Sequence, residues 1–453
     1  MTKRNLLQAA CAIVLLMATP MAQAGQEGTL KLTLDECIGI ALNENPTVKI
    51  NNMELQRVDY SKKEAWGQLL PSVNFTGQYS RTLSKQTMYM DTGNGVVGIK
   101  MGQDNSYTTG FSATIPIYMP QLWKSLKLSD NQILQNLETA RASKLQLVNQ
   151  VKNAYYALLL AQDSKKVLEE NHATAKLNAE IFDKKHKMGT ASEYDVLRAN
   201  VAVTNMEPSI LEAENSINQL TLQLSLLLGI DAGVKVEPAQ SLDHFKSLMA
   251  QHNVAADTSL VNNTSMKSLD LKTDYLQKVL DSQKAAWLPT VTGNANVMWS
   301  SYSNGNPFSH FKWSGFSTVG LTVSFPLFRG GQRYYKQKQA QIQLDEMKWQ
   351  RQNLERSLHI QVQNQLDNIS KSLKQVETNA GSMKQATKAN EIMQQSFKIG
   401  AGTFIQLRDT EDALMSAQLS YYQAIYNYLV AESNLELVLG TAPVNNYTNN
   451  SNK

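Results

Sequence analysis

Apolar positions along the chain change period in a fixed order, and the order occurs twice. From about Leu34 to Leu69, and again from about Leu260 to Trp287, they follow a helical spacing. Each stretch stops at a Leu-Pro pair, where Pro71 and Pro289 forbid another helical turn. The period then falls to two. Val73, Phe75, Gly77 and Tyr79 alternate with Asn74, Thr76, Gln78 and Ser80, and Phe111, Ala113, Ile115 and Ile117 alternate with Ser112 and Thr114. In the second half Val291, Gly293, Ala295, Val297 and Trp299, and later Val319, Leu321, Val323, Phe325 and Leu327, do the same. Strands are therefore expected over about residues 72–90, 106–118, 290–303 and 313–328, each pair joined by a Gly/Asn/Ser-rich loop. Pro116 and Pro326, near the end of each pair, mark the expected strand-to-helix transitions. Strands of this length with one apolar face suit a tilted membrane barrel. A soluble hairpin packed on a core gives the same alternation, so the pattern alone leaves both readings open.

After each hairpin the pattern returns to a very long helix. Leu354, Leu358, Val362, Leu366, Ile369, Leu373, Val376, Ala380 and Met383 recur at steps of three and four, a sustained packing seam. From Tyr334 to Phe397 there is no proline, which allows about 95 Å of helix at 1.5 Å per residue. The stretch from about Leu122 to Lys187 matches it. Each helix then turns at glycine and returns, over Ser192–Leu228 and Phe404–Leu439, to a closing Leu-Gly.

The landmarks repeat at an offset of about 211 residues. Leu147, Val151 and Asn153 return as Leu358, Val362 and Asn364, Gly189 returns as Gly400, and Leu228-Gly229 as Leu439-Gly440. Upstream the offset grows to about 218, because the first repeat carries the longer loop between its strands. There Asn45-Pro46 answers to Asn263-Thr264. The domains expected are a first repeat at 25–229, a linker at 230–259, a second repeat at 260–441 and a polar, disordered tail at 442–453.

The N-terminus alters the setting. Lys3 and Arg4, an apolar run from Leu6 to Met17, and Ala22-Gln23-Ala24 form a secretory leader, residues 1–24, with cleavage before Gly25. Its removal takes the net charge from +4 to about +2, too little for nucleic acid to be a partner. Cys37 becomes the only cysteine, so no internal disulfide can form and the thiol reads as a small buried apolar group. No later segment is an uninterrupted apolar helix of membrane length. Enzymatic signatures are missing: the histidines are scattered, and no H-E-x-x-H, G-x-S-x-G, Walker A or strand-linked G-x-G-x-x-G occurs. No cofactor or metal is expected, and the chain reads as a non-enzyme.

Four strands cannot close a barrel with room inside, and lipid does not tolerate an open sheet edge. Three chains would supply twelve strands and a closed sheet. The whole order also resembles the outer-membrane efflux protein family, the TolC-like factors. The resemblance is carried by Leu34-x-Glu36-Cys37-x-x-x-Ala41-Leu42-x-x-Asn45-Pro46 and by Leu-Pro before each hairpin. It continues in Gly189-x-x-Ser192-x-x-Asp195-Val196-Leu197-x-Ala199 and Gly400-Ala401-Gly402-Thr403-x-x-x-Leu407-x-Asp409. It implies a mainly α fold with a membrane β-barrel: a homotrimer with a twelve-stranded barrel in outer-membrane lipid, continued by an α-helical tunnel across the periplasm. It further implies a passive duct served by an inner-membrane pump (RND or ABC type) and a periplasmic adaptor (membrane fusion protein). The turns Met188-Gly189-Thr190 and Ile399-Gly400-Ala401 match the family's adaptor-docking tip, and glycine there also answers the plain need of a tight turn for positive φ. Asp195 and Asp409 are taken as matching positions in the pore constriction, with Gln406 standing where the family pattern has a second aspartate. Interhelical hydrogen bonding is the plainer role for both aspartates. Two other functions stay open: a periplasmic or surface coiled-coil rod with soluble hairpins, and an exit duct for protein secretion of type I.

Overall fold

The computed structural model describes residues 29–91, 93, 95–231, 233–249, 258–308 and 311–442. The leader and all but the first residue of the expected tail lie outside them. In chain order the elements are β1 (Thr29–Leu32), α1 (Leu34–Glu44), α2 (Pro46–Gly67), β2 (Ser72–Arg81), β3 (Gln86–Asp91), β4 (Val96–Met101) and β5 (Asn105–Tyr118). Then come α3 (Pro120–Lys187), α4 (Glu193–Thr204), α5 (Glu207–Leu228), β6 (Lys235–Pro238) and α6 (Leu242–Met249). After a short 3-10 turn follow α7 (Thr264–Ala285), β7 (Thr290–Ser303), β8 (Ser314–Ser324), α8 (Gln332–Lys398) and α9 (Phe404–Leu439).

Helices α3 and α8, of 68 and 67 residues, are the long members and run about 100 Å each. Next to the sheet, α2, α3, α7 and α8 lie side by side; towards the far end the row is α4–α5, α3, α9 and α8. The seam expected on α8 is the face that meets α9. Val362, Ile369 and Val376 are buried there, with Leu366, Leu373, Ala380 and Met383 packed beside them, and Leu358 is buried as well. Where the two rows join, a core of Ile38, Tyr155, Leu158, Leu224, Leu242, Ile425 and Tyr428 ties α1, α3, α5, α6 and α9 together. Tyr155 directs its hydroxyl at Leu32 O (3.1 Å) and Gln240 Oε1 (3.2 Å), fixing the C-terminal end of the parallel pair β1–β6 to this core. Cys37 is fully buried, and burial pushes its thiol up to about 12.

The Leu-Gly ends meet the Asn starts in the same way twice. Asn45 caps α2 through Thr47 N (2.8 Å) while its amide donates to Leu227 O (2.8 Å). Asn263 caps α7 through Met266 N (2.8 Å) while donating to Val438 O (2.6 Å). Gly440, at φ 70°, leaves no room for a Cβ, which would sit 2.1 Å from Asn262 O.

Several expectations are corrected by the structure. The strand expected over about 72–90 is two: β2 ends at Arg81, and β3 pairs with β4 as a separate two-stranded ribbon. Pro116 does not end its strand. It lies inside β5 at a register shift that absorbs its missing N–H, and the helix starts at Pro120, where proline's fixed φ suits the first turn. The strand expected to 328 stops at Ser324, since Pro326 cannot extend the ladder; Arg333 instead holds the Pro326 and Leu327 carbonyls. Continuous helix expected over Ser192–Leu228 breaks at Asn205–Met206, just before Pro208. The 230–259 linker contains β6 and α6.

Candidate conduit: the two-faced sheet and the helix-hairpin tip

Strands β2, β5, β7 and β8 form one antiparallel sheet in that order, so both hairpins share a sheet through the β5–β7 pairing. Partners in register share a face, which makes each face readable row by row. One face carries Val73, Ala113, Ala295 and Val319 in one row, and Phe75, Phe111 and Val297 with Ser317 in the next. Ile115, Gly293 and Leu321 form a third row. These side chains lie bare: Val319 is 89% exposed, Leu321 71%, Val323 68%, Val73 and Phe75 65% each. An apolar sheet face this open is foreign to water-soluble monomers.

Two aromatic groups bound the bare face. At the outer end Tyr79 stacks on Tyr107 (4.9 Å between centroids), Tyr107 meets Phe311 (5.0 Å), and Phe311 stacks on Trp313 (6.4 Å). At the helix end Tyr118 meets Trp123 (5.8 Å), and Trp287 lies under the Arg333 guanidinium (4.4 Å). Tyr107 and Tyr118 sit on one strand. Their separation is roughly 36 Å along it, or about 28 Å along the normal at a 40° tilt, close to the apolar band of outer-membrane barrels. Tyr302 and Phe316 lie on the other face and belong to neither group.

The opposite face carries Ser72, Asn74, Thr76, Gln78 and Ser80 on β2 and Ser106, Thr108, Ser112 and Thr114 on β5. Asn294, Asn296 and Ser300 on β7, with Ser314, Thr318, Thr322 and Ser324 on β8, complete it. Asn294 donates to Thr322 Oγ1 (2.9 Å) and Asn296 to Thr318 Oγ1 (3.4 Å). No side chain in register on this face is charged; Met298 and Phe316, opposite each other, are its apolar interruption.

At the far end of the helices, the turns after α3 and α8 have the same construction. Thr190 N donates to Lys185 O (2.8 Å) and Gly189 N to His186 O (2.8 Å), while Ala401 N donates to Ser396 O (2.8 Å) and Gly400 N to Phe397 O (3.2 Å). Gly189 and Gly400 hold φ of 74° and 78°, the left-handed closure of a helix end. Met188 and Ile399 stand out at 69% and 81% exposure. The two turns are clamped together by Phe182, which packs edge-on to Phe404 (4.6 Å) and beside Phe397 (5.8 Å), with Lys185 Nζ 4.8 Å over the Phe397 ring.

The candidate constriction residues are placed differently from the expectation that Asp195 matches Asp409. Asp195 is the third residue of α4 and closes a capping box: Ser192 Oγ donates to Asp195 Oδ2 (2.6 Å) and Asp195 N donates to Ser192 Oγ (3.1 Å). Its structural counterpart is Gln406, which does the same for α9 with Thr403 (3.1 and 3.3 Å). Asp409 lies nearly a turn further along α9, exposed. The pattern of spacing had missed a buried carboxylate at this end. Glu411, 6% exposed, accepts from Asn178 Nδ2 (3.0 Å) across α3 and α9, and burial holds its carboxyl above the usual range.

Comparison with known proteins agrees with this geometry. The sequence matches the family described as "Outer membrane efflux protein" over residues 37–230 and 255–441. It is 22% identical to "Outer membrane protein TolC" of Escherichia coli (strain K12), covering 88% of this chain and 80% of that protein. It is 21% identical to "Alkaline protease secretion protein AprF" of Pseudomonas aeruginosa, covering 92% and 86%. Among solved structures, CusC superposes with a TM-score of 0.75 at 16% identity over 92% of this chain and 95% of that one. The Campylobacter jejuni CmeC outer membrane channel superposes at 0.74, with 16% identity and 95% and 94% coverage. With both segments matched and the fold shared, the chain belongs to the outer membrane efflux protein family.

Proposed function

We propose that three copies of this chain close edge to edge into a twelve-stranded barrel in the outer membrane, continued by a helical tunnel through the periplasm. In that assembly the duct is passive. An inner-membrane pump of the RND or ABC type supplies the energy, and a periplasmic adaptor passes the cargo on. The observation that carries the reading is a four-stranded sheet whose outer strands, β2 and β8, have no further partner among the described residues, joined to a bare apolar face between two aromatic groups. Lipid accepts such a face but not its edges, and pairing β8 of one copy with β2 of the next removes both edges. A water-borne coiled-coil rod gives no reason for Val319, Leu321 and Val323 to stay uncovered.

In this assembly the hydroxyl-and-amide face lines the lumen, and Met188, Gly189, Thr190, Ile399, Gly400 and Ala401 form the adaptor-facing tip. Asp195, Gln406 and Asp409 stand just inside that tip, where three copies of each aspartate would bring carboxylates together around the axis. The similarity to AprF keeps polypeptide export as the second reading of the same duct. Purified protein in mild detergent should have the mass of three chains and open conducting pores in planar bilayers. A monomeric, non-conducting particle overturns the proposal. Susceptibility of a deletion strain to small toxic compounds separates the two cargoes: no change in any compound favours a polypeptide.

A further inference from the structure

A groove crosses the bare face of the sheet near its helix end. Its volume is about 440 Å³, and its walls are Ile115 and Ile117 on β5 and Val319 and Leu321 on β8. Gly293 and Ala295 on β7 form the floor, since neither carries more than a methyl group to fill the space between those neighbours.

Beyond the groove, where strands give way to helices, the chain turns basic. From Tyr118 to Ser129 the only charges are Lys124 and Lys127, and from Phe325 to Leu344 they are Arg329, Arg333, Lys336 and Lys338, with no acid in either stretch. Lys127 follows Trp123 by four residues, so it shares that helix face one turn further from the sheet. Trp123 in turn meets Tyr118, which pairs with Val291 on the bare face. Lys336 follows Arg333 by three, and Arg333 covers Trp287. The acids alongside are engaged: Asp59 by Lys63 (2.7 Å), Asp130 by Lys62 (2.8 Å) and, more loosely, Asp281 by Lys284 (3.9 Å). Glu64, on α2, is outside any ion pair among the described residues. Lys127, Arg329 and Lys336 are exposed and likewise join no ion pair among the described residues.

We propose that this junction binds an anionic phospholipid of the periplasm-facing leaflet: the groove takes an acyl chain, and the headgroup rests against the girdle of Lys127, Arg329 and Lys336. This rests on the membrane barrel proposed above. The groove belongs to the face assigned there to hydrocarbon, so a lipid tail is already its neighbour. The row of Gly293 lies three residues from Thr290, where β7 begins, about 10 Å and within the length of a fatty acyl chain. A girdle of unpaired cations attracts a headgroup with net negative charge and gives a zwitterionic one no such advantage.

The test counts the lipids kept by detergent-purified protein, using native mass spectrometry, from micelles with equal amounts of dioleoyl phosphatidylglycerol and dioleoyl phosphatidylcholine. Phosphatidylglycerol should be retained at about tenfold the level of phosphatidylcholine, since each nearby cation favours an anionic headgroup about fivefold before screening. Lys127→Gln, Arg329→Gln and Lys336→Gln together should bring the two lipids level. Salt at about 1 M, which screens charges beyond about 3 Å, should do the same to the parent protein. Ala295→Phe, which fills the groove, should cut retention of both lipids and leave their ratio unchanged. Equal retention by the parent, a preference that survives both the triple variant and high salt, retention untouched by Ala295→Phe, or displacement of the lipid by free inorganic phosphate overturns the inference while the barrel stands. Protein that stays in solution without detergent overturns the barrel itself.

Discussion

Placing arginine at two adjacent positions of β8 asks which way the sheet faces. Val319 lies in the apolar row with Val73, Ala113 and Ala295, midway between the row of Trp299 and the row of Val291. Thr318 is its neighbour on the hydroxyl-and-amide face, opposite Asn296. Arginine at the midplane of an outer-membrane barrel costs about 2–4 kcal/mol on the lipid side. Three copies raise that to about 6–12 kcal/mol per assembly, comparable to the stability of a whole domain. Val319→Arg should therefore leave little folded trimer in the outer membrane. Thr318→Arg points into water, should assemble normally, and should shift the pore's reversal potential towards anions. The assay is the heat-modifiable trimer band from membranes, followed by bilayer recording of whatever assembles. If the sheet instead met only water, Val319→Arg would stay within about 0.5 kcal/mol of the parent. Equal trimer yields from the two variants would refute the assignment of faces.

Three further outcomes follow from the helical part. Glu411 has its carboxyl raised from the ordinary 4.5 by burial, against the Asn178 hydrogen bond and the Arg408 charge. A raised folded value means stability is lost as pH climbs from about 4.5 through that value; Glu411→Gln should therefore melt above the parent at pH 7.5 and alongside it below pH 4.5, and the reverse order would refute this. Asn263→Ala removes a helix cap worth about 1 kcal/mol and the bond to Val438 O, worth about another 1 kcal/mol; thermal unfolding should register about 2 kcal/mol, and no change would show that the junction bears no load. Gly400→Val forces a branched side chain to φ 78°, a strain of about 1–2 kcal/mol; trimer yield should hold while susceptibility to exported compounds approaches that of a deletion strain.

How far the sequence alone reached depended on how long each pattern ran. The α8 seam was legible because its spacing persists from Leu354 to Met383, and nearly every position named in it is buried or half-buried against α9. The faces of β2, β5, β7 and β8 were legible because alternation survives wherever one side meets an apolar medium. The ribbon was not, since Met88-Tyr89-Met90 and Val96-Val97 break the alternation, and only cross-strand register sorts them into faces. Pairs such as β1–β6 consist of four residues each, with partners about two hundred positions apart, too short to stand above composition. Asp195 and Asp409 were aligned by motif, whereas the capping boxes align Asp195 with Gln406. Glu411 gave no sign because a carboxylate on a helix is unremarkable until α3 covers it.

The hydroxyl-and-amide face of the sheet, interrupted by Met298, Phe316 and Tyr302, carries no ionised side chain in register. In a closed pore such a surface offers a travelling solute only exchangeable hydrogen bonds, no fixed ion to linger on and no like charge to be turned back by. Traffic of either sign would slide through as easily inward as outward. A cell that keeps this opening in its envelope must therefore do its guarding at the extremities, leaving the stretch between as plain plumbing.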